Sequence, residues 1–220
     1  MSWLSDIMLQ ALQFFYQLTG NYGLAIIFLT ITINMALYPL TLSSIVQMAA
    51  IQKIQPRIQE LQTKYKDDPK EMQKEMMELY KNEKVNPFGG CLPMLMKIPF
   101  FIALFFALQS QNFIALVSAK GASAGFLWIN NIAKPDPLYV LVALIALTTY
   151  WSQKTMPGAS SQQMAGMTYI MPFFIAFISI TFPSGVQIYW IISNLVAIAQ
   201  QWYISRAVLA KGKNVSRETF

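Results

Sequence analysis

Five apolar segments, separated by polar ones, set the pattern of the chain. The first, residues 22–42, carries no charged side chain. At about 1.5 Å of rise per residue, a helix of that length crosses a hydrocarbon core of roughly 30 Å. Four more apolar segments follow at 87–108, 138–151, 164–182 and 183–204. The pattern predicts an all-α integral membrane protein whose five transmembrane helices form a bundle.

The segments outside these spans contain short helical patterns or none. Residues 1–21 place apolar side chains on one helical face and glutamines on the other. This favours an N-terminal interfacial helix on the extracytoplasmic side, with an ordinary packing helix as the alternative. Residues 109–137 lack a long helical period and are predicted to form an irregular extracytoplasmic segment. Residues 152–163 are predicted to form a polar cytoplasmic loop and residues 205–220 a basic cytoplasmic tail.

Residues 43–86 are rich in charge and contain two amphipathic periodicities. Asp68 followed by Pro69 is typical of a helix start, with Asp68 as N-cap and Glu71 completing a capping box. On the preceding helix, Glu60 and Lys64 are spaced to pair on the exposed face. The segment is therefore predicted to be a helical hairpin outside the bilayer.

The basic residues are distributed unevenly between the two sides. Thirteen of the sixteen Lys and Arg residues lie in the hairpin, the 152–163 loop and the tail, whereas only Lys120 and Lys134 lie on the opposite side. The positive-inside rule therefore predicts a cytoplasmic C-terminus and an N-terminus outside. Acidic residues alternate with the basic ones and the net charge is only +6, so we expect no DNA partner. The first residues also lack the basic region of a secretory signal.

The amino-acid composition limits the classes of protein to which the chain can belong. Apolar residues make up 55% of the chain, charged residues 12%, and the mean hydropathy is +0.41, values typical of polytopic membrane proteins. The chain has no histidine and a single cysteine, Cys91. A disulfide framework is thus excluded, and no nucleophile–base pair can be named. We therefore expect neither an enzyme nor a cofactor nor a metal site.

Polar residues recur inside two of the predicted spans. Thr30, Asn34 and Thr41 share a stripe on the first, and Gln187, Asn194 and Gln201 repeat every seven residues on the fifth. Lys97 is the only charge within any predicted span, and an intramembrane charge usually marks a wet cavity or a function. The alternatives are hydrogen bonds between packed helices for the stripes and snorkelling to the interface for Lys97.

Several separated motifs resemble the YidC/Oxa/Alb family of membrane protein insertases. They lie in the family's order over roughly residues 21–206: Tyr38-Pro39-Leu40-Thr41, Gln55-Pro56-Arg57-Ile58, residues 85–93, and Phe182-Pro183-Ser184-Gly185 followed by Tyr189-Trp190 and Ser193-Asn194. The resemblance implies five core spans, a cytoplasmic helical hairpin, and a polar groove open to cytoplasm and lipid but closed on the far side. It also implies a short member without the large extracytoplasmic domain of Gram-negative relatives.

The same resemblance implies a function without chemical catalysis. The clients would be nascent membrane proteins, inserted and helped to fold in the bacterial plasma membrane. The implied partners are the lipid bilayer, the Sec translocon, the ribosome and signal-recognition components. A client's apolar segment would leave sideways along lipid-facing aromatics, for which the candidates are Phe173, Phe174, Tyr189 and Trp190.

One departure from the family pattern bears on the groove. Bacterial members of the family place an arginine four residues before the Tyr/Phe-Pro-Leu element, and here that position is Asn34. Our hypothesis is that Lys97, at a comparable depth on the second span, supplies the cation that Asn34 lacks. The runner-up function is a small-solute transporter, although five spans cannot divide into equal inverted repeats.

Overall fold

The computed structural model describes residues 2–86, 92–120, 125–156 and 162–215. These ranges contain nine α-helices and no β-sheet, with one isolated bridge between Phe126 and Ile129. The all-α prediction is therefore confirmed for this part of the chain. The helices are α1 (Ser2–Thr19), α2 (Tyr22–Ala36), α3 (Tyr38–Lys64), α4 (Pro69–Asn82), α5 (Leu92–Gln109), α6 (Gln111–Lys120), α7 (Val140–Thr155), α8 (Gln162–Ser179) and α9 (Ser184–Val215). Cys91 and most of the 85–93 motif lie outside the described residues.

The predicted first span, 22–42, is divided between two helices. Helix α2 ends at Ala36, and α3 starts at Tyr38 and continues without interruption to Lys64. Pro39 lies in the first turn of α3, where its missing N–H is tolerated, and it cannot donate the bond that would prolong α2. Residue 42 is thus no helix end, and the first helix of the hairpin begins within the predicted span.

Helix α6 corrects the prediction of an irregular segment at 109–137. Ser110 precedes it, and its hydroxyl accepts a hydrogen bond from the backbone N–H of Phe113 at 3.2 Å, as an N-cap does. Phe113 and Val117 are buried in the main core. The helix has ten residues, too few for its apolar period to stand out in the sequence.

Within the described residues, no single helix combines the length and hydropathy needed to cross a membrane. Two bent pairs pass together: Trp3–Thr19 with Tyr22–Ala36, at 119°, and Leu95–Gln109 with Gln111–Val117, at 60°.

Helix α9 lies at the centre of the packing and contacts α2, α3, α5 and α7. Residues 125–139, called here the loop cap, cover one end of this bundle. Ser184, at the start of α9, donates its backbone N–H and its hydroxyl to the carbonyl oxygen of Lys134, at 2.8 and 2.7 Å. Gly185 N donates to Ile132 O at 2.9 Å. The loop cap is therefore held directly on the first turn of α9.

Asp136 fixes the loop cap from inside. Only 2% of it is exposed, and its carboxylate accepts hydrogen bonds from Trp128 Nε1 at 3.0 Å, Leu138 N at 3.1 Å and Leu141 N at 2.7 Å. Tyr139, at the N-cap of α7, has a φ of +56° and makes no capping bond with its side chain. Asp136 takes over that role, which joins the loop cap to α7.

Helices α3 and α4 form the predicted hairpin. Asp68 Oδ1 accepts from the N–H groups of Lys70 and Glu71, at 3.2 and 3.1 Å, so the predicted N-cap is confirmed. The capping box is incomplete, because Glu71 pairs with Lys74 at 3.0 Å instead of returning to Asp68 N. That hydrogen bond from Lys74 to the Glu71 carboxylate raises the pKa of Lys74.

The predicted pair between Glu60 and Lys64 is absent from the described hairpin. Lys64 Nζ lies over the ring of Tyr65 instead, 4.9 Å from its centroid. Arg57 and Glu83 form an ion pair that ties the end of α4 back to α3. No residue of α4 is buried, so the hairpin extends away from the core.

Candidate functional site

The three stripe residues of the first predicted span are all buried, but only one of them reaches another helix. Thr30 donates its hydroxyl to Ile26 O at 2.6 Å, and Thr41 donates to Leu37 O at 3.2 Å. Both acceptors lie four residues earlier in the chain, so neither bond reaches another part of the protein. Asn34, 1% exposed, donates through Nδ2 to Thr30 O at 2.8 Å and to Ser193 Oγ of α9 at 3.4 Å. Asn34 is therefore the stripe residue that joins α2 to α9.

The predicted stripe on α9 faces a different set of helices. Asn194 Nδ2 donates to the hydroxyls of Thr149 and Thr148 on α7, at 2.9 and 3.2 Å. Gln201 Oε1 accepts from Thr155 Oγ1, at the end of α7, at 2.5 Å. Asn194 and Gln201 thus form hydrogen bonds between packed helices, which is the alternative that the sequence left open for this stripe.

Gln187, the third member of that stripe, bonds to the end of α8. Its Nε2 donates to Ser179 O at 2.7 Å. The stripes on the first and fifth predicted spans are thus not brought together through the residues that define them.

A second polar row on α9, which the sequence reasoning missed, does face α2. Ser193 and Gln200 are seven residues apart and buried, and Gln200 Nε2 donates to the backbone oxygen of Asn34 at 3.3 Å. The doublets Ser193-Asn194 and Gln200-Gln201 were the available signal, since neighbouring polar residues cover two adjacent helical faces. We call Asn34, Ser193 and Gln200 the Asn34 seam.

The seam contains acceptors that no protein group satisfies. Among the described residues, Asn34 Oδ1 and Gln200 Oε1 are buried and have no hydrogen-bond donor. A buried polar group left in this state costs about 1–3 kcal/mol. The contact between α2 and α9 is therefore weaker than a fully paired or fully apolar contact would be, and a donor that reached these oxygens would stabilise them.

Lys97 is half-buried in α5, which packs against α1, α3 and α9. The ion pairs of the described residues are Arg57–Glu83 and Glu71–Lys74, so no acidic side chain in these ranges neutralises Lys97. The same ranges contain no hydrogen bond between Lys97 and Asn34. The two residues proposed to share the groove are thus on separate helices, and no hydrogen bond joins them in the described residues.

The four aromatic candidates divide into two pairs. Phe173 and Phe174 of α8 are 73% and 56% exposed, as a surface contacting lipid requires. Tyr189 is 3% exposed, so its expected lipid-facing position is wrong; it lies on the face of α9 that forms the core. Trp190 is half-buried, with its Nε1 donating to Thr149 Oγ1 at 3.2 Å. The exposed apolar surface of α8 instead extends to Tyr169, Ile170 and Phe177.

Comparison with known proteins gives consistent matches over most of the chain. The sequence model of the 60Kd inner membrane protein family matches residues 14–211. The membrane protein insertase YidC of Geobacter sulfurreducens is 42% identical over 206 residues, which are 93% of this chain and 38% of that relative. The protein of the same name from Francisella tularensis subsp. novicida is 41% identical over 214 residues, 97% of this chain and 38% of the relative.

Among solved structures, the fold is similar to a YidC insertase crystal structure described as active and as having its first transmembrane domain resolved. The TM-score is 0.75 at 24% identity, and the match covers 90% of this chain and 45% of that chain. The present chain spans less than half the length of all three proteins. By sequence and by fold, it belongs to the 60Kd inner membrane protein family, the family of the YidC insertases.

Proposed function

We propose that the chain inserts nascent membrane proteins into the bacterial plasma membrane and assists their folding, without making or breaking a covalent bond. The observation that carries this proposal is Asn34, an amide buried between α2 and α9 whose carbonyl oxygen has no protein donor in the described ranges. A helix bundle that served only as an anchor would have no use for such a group. Its relatives are named insertases, and the proposal extends their function to this chain.

The proposed topology has five membrane crossings, an N-terminus outside and a cytoplasmic C-terminus. Helix α1 would lie along the outer interface, because Met8 and Leu12 are buried in the core while Trp3, Phe14 and Leu18 are exposed. The 119° bend between α1 and α2 accommodates this change of direction. The α3–α4 hairpin would then project into the cytoplasm, and the loop cap would close the far side.

In this arrangement the protein shortens the path of a client tail through hydrocarbon. Each unsatisfied peptide group in lipid costs several kcal/mol, and polar groups within the bundle would replace part of its hydration. The proposed groove residues are Thr30, Asn34, Thr41, Lys97, Gln187, Asn194 and Gln201, to which the structure adds Ser193 and Gln200. Lys97 would attract acidic residues of the tail. Burial of the client's apolar helix in lipid would provide the driving force.

The exit for the apolar segment would be the exposed face of α8. Phe173 and Phe174 are exposed on this face, whereas Trp190, the other candidate, is held on α9 by its bond to Thr149 of α7. The Sec translocon, the ribosome and signal-recognition components are proposed as partners on the strength of the family. The cytoplasmic hairpin, in which no residue of α4 is buried, is the proposed region of first contact.

Insertion into liposomes tests the proposal. Purified protein is reconstituted, a single-span client is added, and the fraction of its tail protected from external protease is measured. We expect several-fold more protection than in protein-free liposomes, and a loss of at least fivefold in Asn34→Leu. Thr32→Val is the matched control, because Thr32 is exposed on the same helix and bonds only to Phe28 O. Protection no greater than in protein-free liposomes would refute the insertase function.

A further inference from the structure

In the Asn34 seam both amide nitrogens donate hydrogen bonds, whereas neither amide oxygen receives one from the described residues. Asn34 Nδ2 donates to Thr30 O at 2.8 Å, and Gln200 Nε2 donates to Asn34 O at 3.3 Å. A backbone carbonyl oxygen can only accept, so turning either amide around would place two oxygens against each other. The orientation of both amides is therefore determined by the backbone, and neither side-chain oxygen receives a hydrogen bond from the described residues.

Unpaired amide oxygens recur elsewhere in the described residues. Four buried amide oxygens lack a protein donor there, and the remaining buried side-chain polar atom without a hydrogen bond is the Tyr189 hydroxyl: the amide oxygens are those of Asn34, Gln47, Gln187 and Gln200. Two of the four lie in the seam, and Gln47 lies on the buried face of α3 together with Ser44 and Ile54. Most of the unpaired polar atoms in this part of the chain are thus amide oxygens, which can only accept.

We propose that the Asn34 seam is a subsite for hydrogen-bond donors of a client chain, namely peptide N–H groups and the side chains of Lys, Arg or Asn. This inference rests on the proposed insertase function and defines the substrate preference of its groove. An ammonium or a peptide N–H completes the hydrogen bonding of Asn34 Oδ1 and Gln200 Oε1, whereas a carboxylate offers them no proton and is repelled by them. Lys97, on α5, acts on acidic residues at a separate place.

Gln200→Lys reverses the polarity of the seam with little change in length. The new ammonium can still donate to Asn34 O, but the acceptor oxygen is lost. Three versions of one single-span client, with Lys, Gln or Glu at one position of the tail, are inserted into proteoliposomes without a membrane potential. We expect the wild-type ratio of protected Lys tail to protected Glu tail to fall at least threefold in Gln200→Lys.

Ala199→Lys is the matched control. It introduces the same charge one residue earlier along α9, at an exposed position outside the proposed groove. We expect it to keep the wild-type ratio even if total insertion falls. Should Gln200→Lys not fold, Gln200→Met removes the acceptor without adding a charge. The ratio of protected Lys tail to protected Glu tail is then expected to approach that of a site that does not distinguish the two tails.

The outcomes separate the two proposals. If all three clients insert and the ratio is the same in wild type and the Gln200 variants, the donor subsite is refuted and the insertase function stands. An equal fall in Ala199→Lys would also refute the subsite, because the effect would then be one of charge in general. If no client inserts above the level of protein-free liposomes, the proposed function fails and the subsite fails with it.

Discussion

At the scale of single residues, Asn34 differs from its polar neighbours in the direction of its hydrogen bonds. The hydroxyls of Thr30 and Thr41 turn back to carbonyl oxygens four residues earlier, which is the usual behaviour of threonine within a helix. The longer amide of Asn34 reaches Ser193 on α9 and receives Gln200 on its own backbone oxygen. Asn34 therefore joins α2 to α9 through both its side chain and its backbone oxygen.

Lys97 gives the first residue-scale prediction. Lys97→Ala is expected to reduce insertion of a client with an acidic tail severalfold and to leave a neutral tail within twofold, because a cation with no acidic partner in the described ranges is free to attract carboxylates. Protease protection of the two clients in proteoliposomes measures this. Lys97→Arg keeps the charge and should restore the acidic client. Equal insertion of the acidic client by Lys97→Ala and wild type would exclude the groove-cation role.

Asp136 gives the second residue-scale prediction, which concerns the stability of the protein. Asp136→Ala removes the acceptor of three hydrogen bonds from a buried site and is expected to destabilise the protein by about 3 kcal/mol. The measurement is equilibrium unfolding in detergent. Asp67→Ala, at an exposed position in the turn between α3 and α4, should change stability by less than about 0.5 kcal/mol. Similar losses in both variants would contradict the role given to Asp136.

The sequence identified the polar residues of the interior but not their partners. A seven-residue repeat places Gln187, Asn194 and Gln201 on one face of α9, and that much followed from helical geometry. Which neighbouring helix the face meets depends on how α7, α8 and α2 are arranged around α9, and no local pattern contains this information. Gln200 was missed for that reason: it is part of a polar doublet whose two members face different helices.

At the scale of elements, helix ends were predictable where a local cap determines them. Asp68 with Pro69 marked the start of α4 correctly, because the side chain satisfies N–H groups that any helix leaves unpaired. The break at Leu37 and the ten-residue α6 were missed. A proline at the start of α3 lies in an apolar run that is otherwise continuous, and α6 owes its stability to the burial of Phe113 and Val117 in the core.

The close approach of α2 to the loop cap gives the third prediction. A Cβ at Gly23 would lie 2.2 Å from Cγ of Phe126, so Gly23→Ala must displace an aromatic ring and is expected to cost about 1–3 kcal/mol. Thermal unfolding in detergent measures this loss. At Gly166, in α8, nothing lies within 4 Å of the new Cβ, and Gly166→Ala should be neutral or stabilising. A neutral Gly23→Ala would show that the loop cap moves freely against α2.

The hairpin gives the fourth prediction, which separates a cap from an ion pair. Asp68→Ala is expected to destabilise the start of α4 by about 1 kcal/mol, seen as roughly fivefold faster hydrogen exchange in its first turn. Arg57→Ala breaks the pair with Glu83, whose side chains are 64% and 35% exposed, and exposed pairs contribute about 0–1 kcal/mol. Exchange in that first turn should therefore change little in Arg57→Ala. If exchange in that first turn increased more in Arg57→Ala than in Asp68→Ala, the ion pair would contribute more than the cap and the prediction would be wrong.

At the scale of the whole molecule, the two ends of the bundle are built differently. The loop cap closes one end with hydrogen bonds that Ser184 and Gly185 donate and that the Asp136 carboxylate accepts. At the other end, the chain leaves the bundle as the α3–α4 hairpin, and none of the residues of α4 is buried. The unpaired acceptors of the seam lie between these two ends. This asymmetry supports the proposed passage, which would open towards the hairpin and stop at the loop cap.

Single cysteines test both the orientation and the passage, in a Cys91→Ser background. Gln73→Cys, exposed on α4, should react with a membrane-impermeant maleimide only from the cytoplasmic side, and Asn130→Cys, exposed in the loop cap, only from outside. Asn34→Cys should react slowly, and from the cytoplasmic side alone, because the unpaired seam separates more easily than the hydrogen-bonded loop cap. Labelling of position 130 from the cytoplasm would invert the proposed topology. If position 34 stayed unreactive while position 73 was labelled to completion, no polar passage would reach the seam and the route proposed for clients would be excluded.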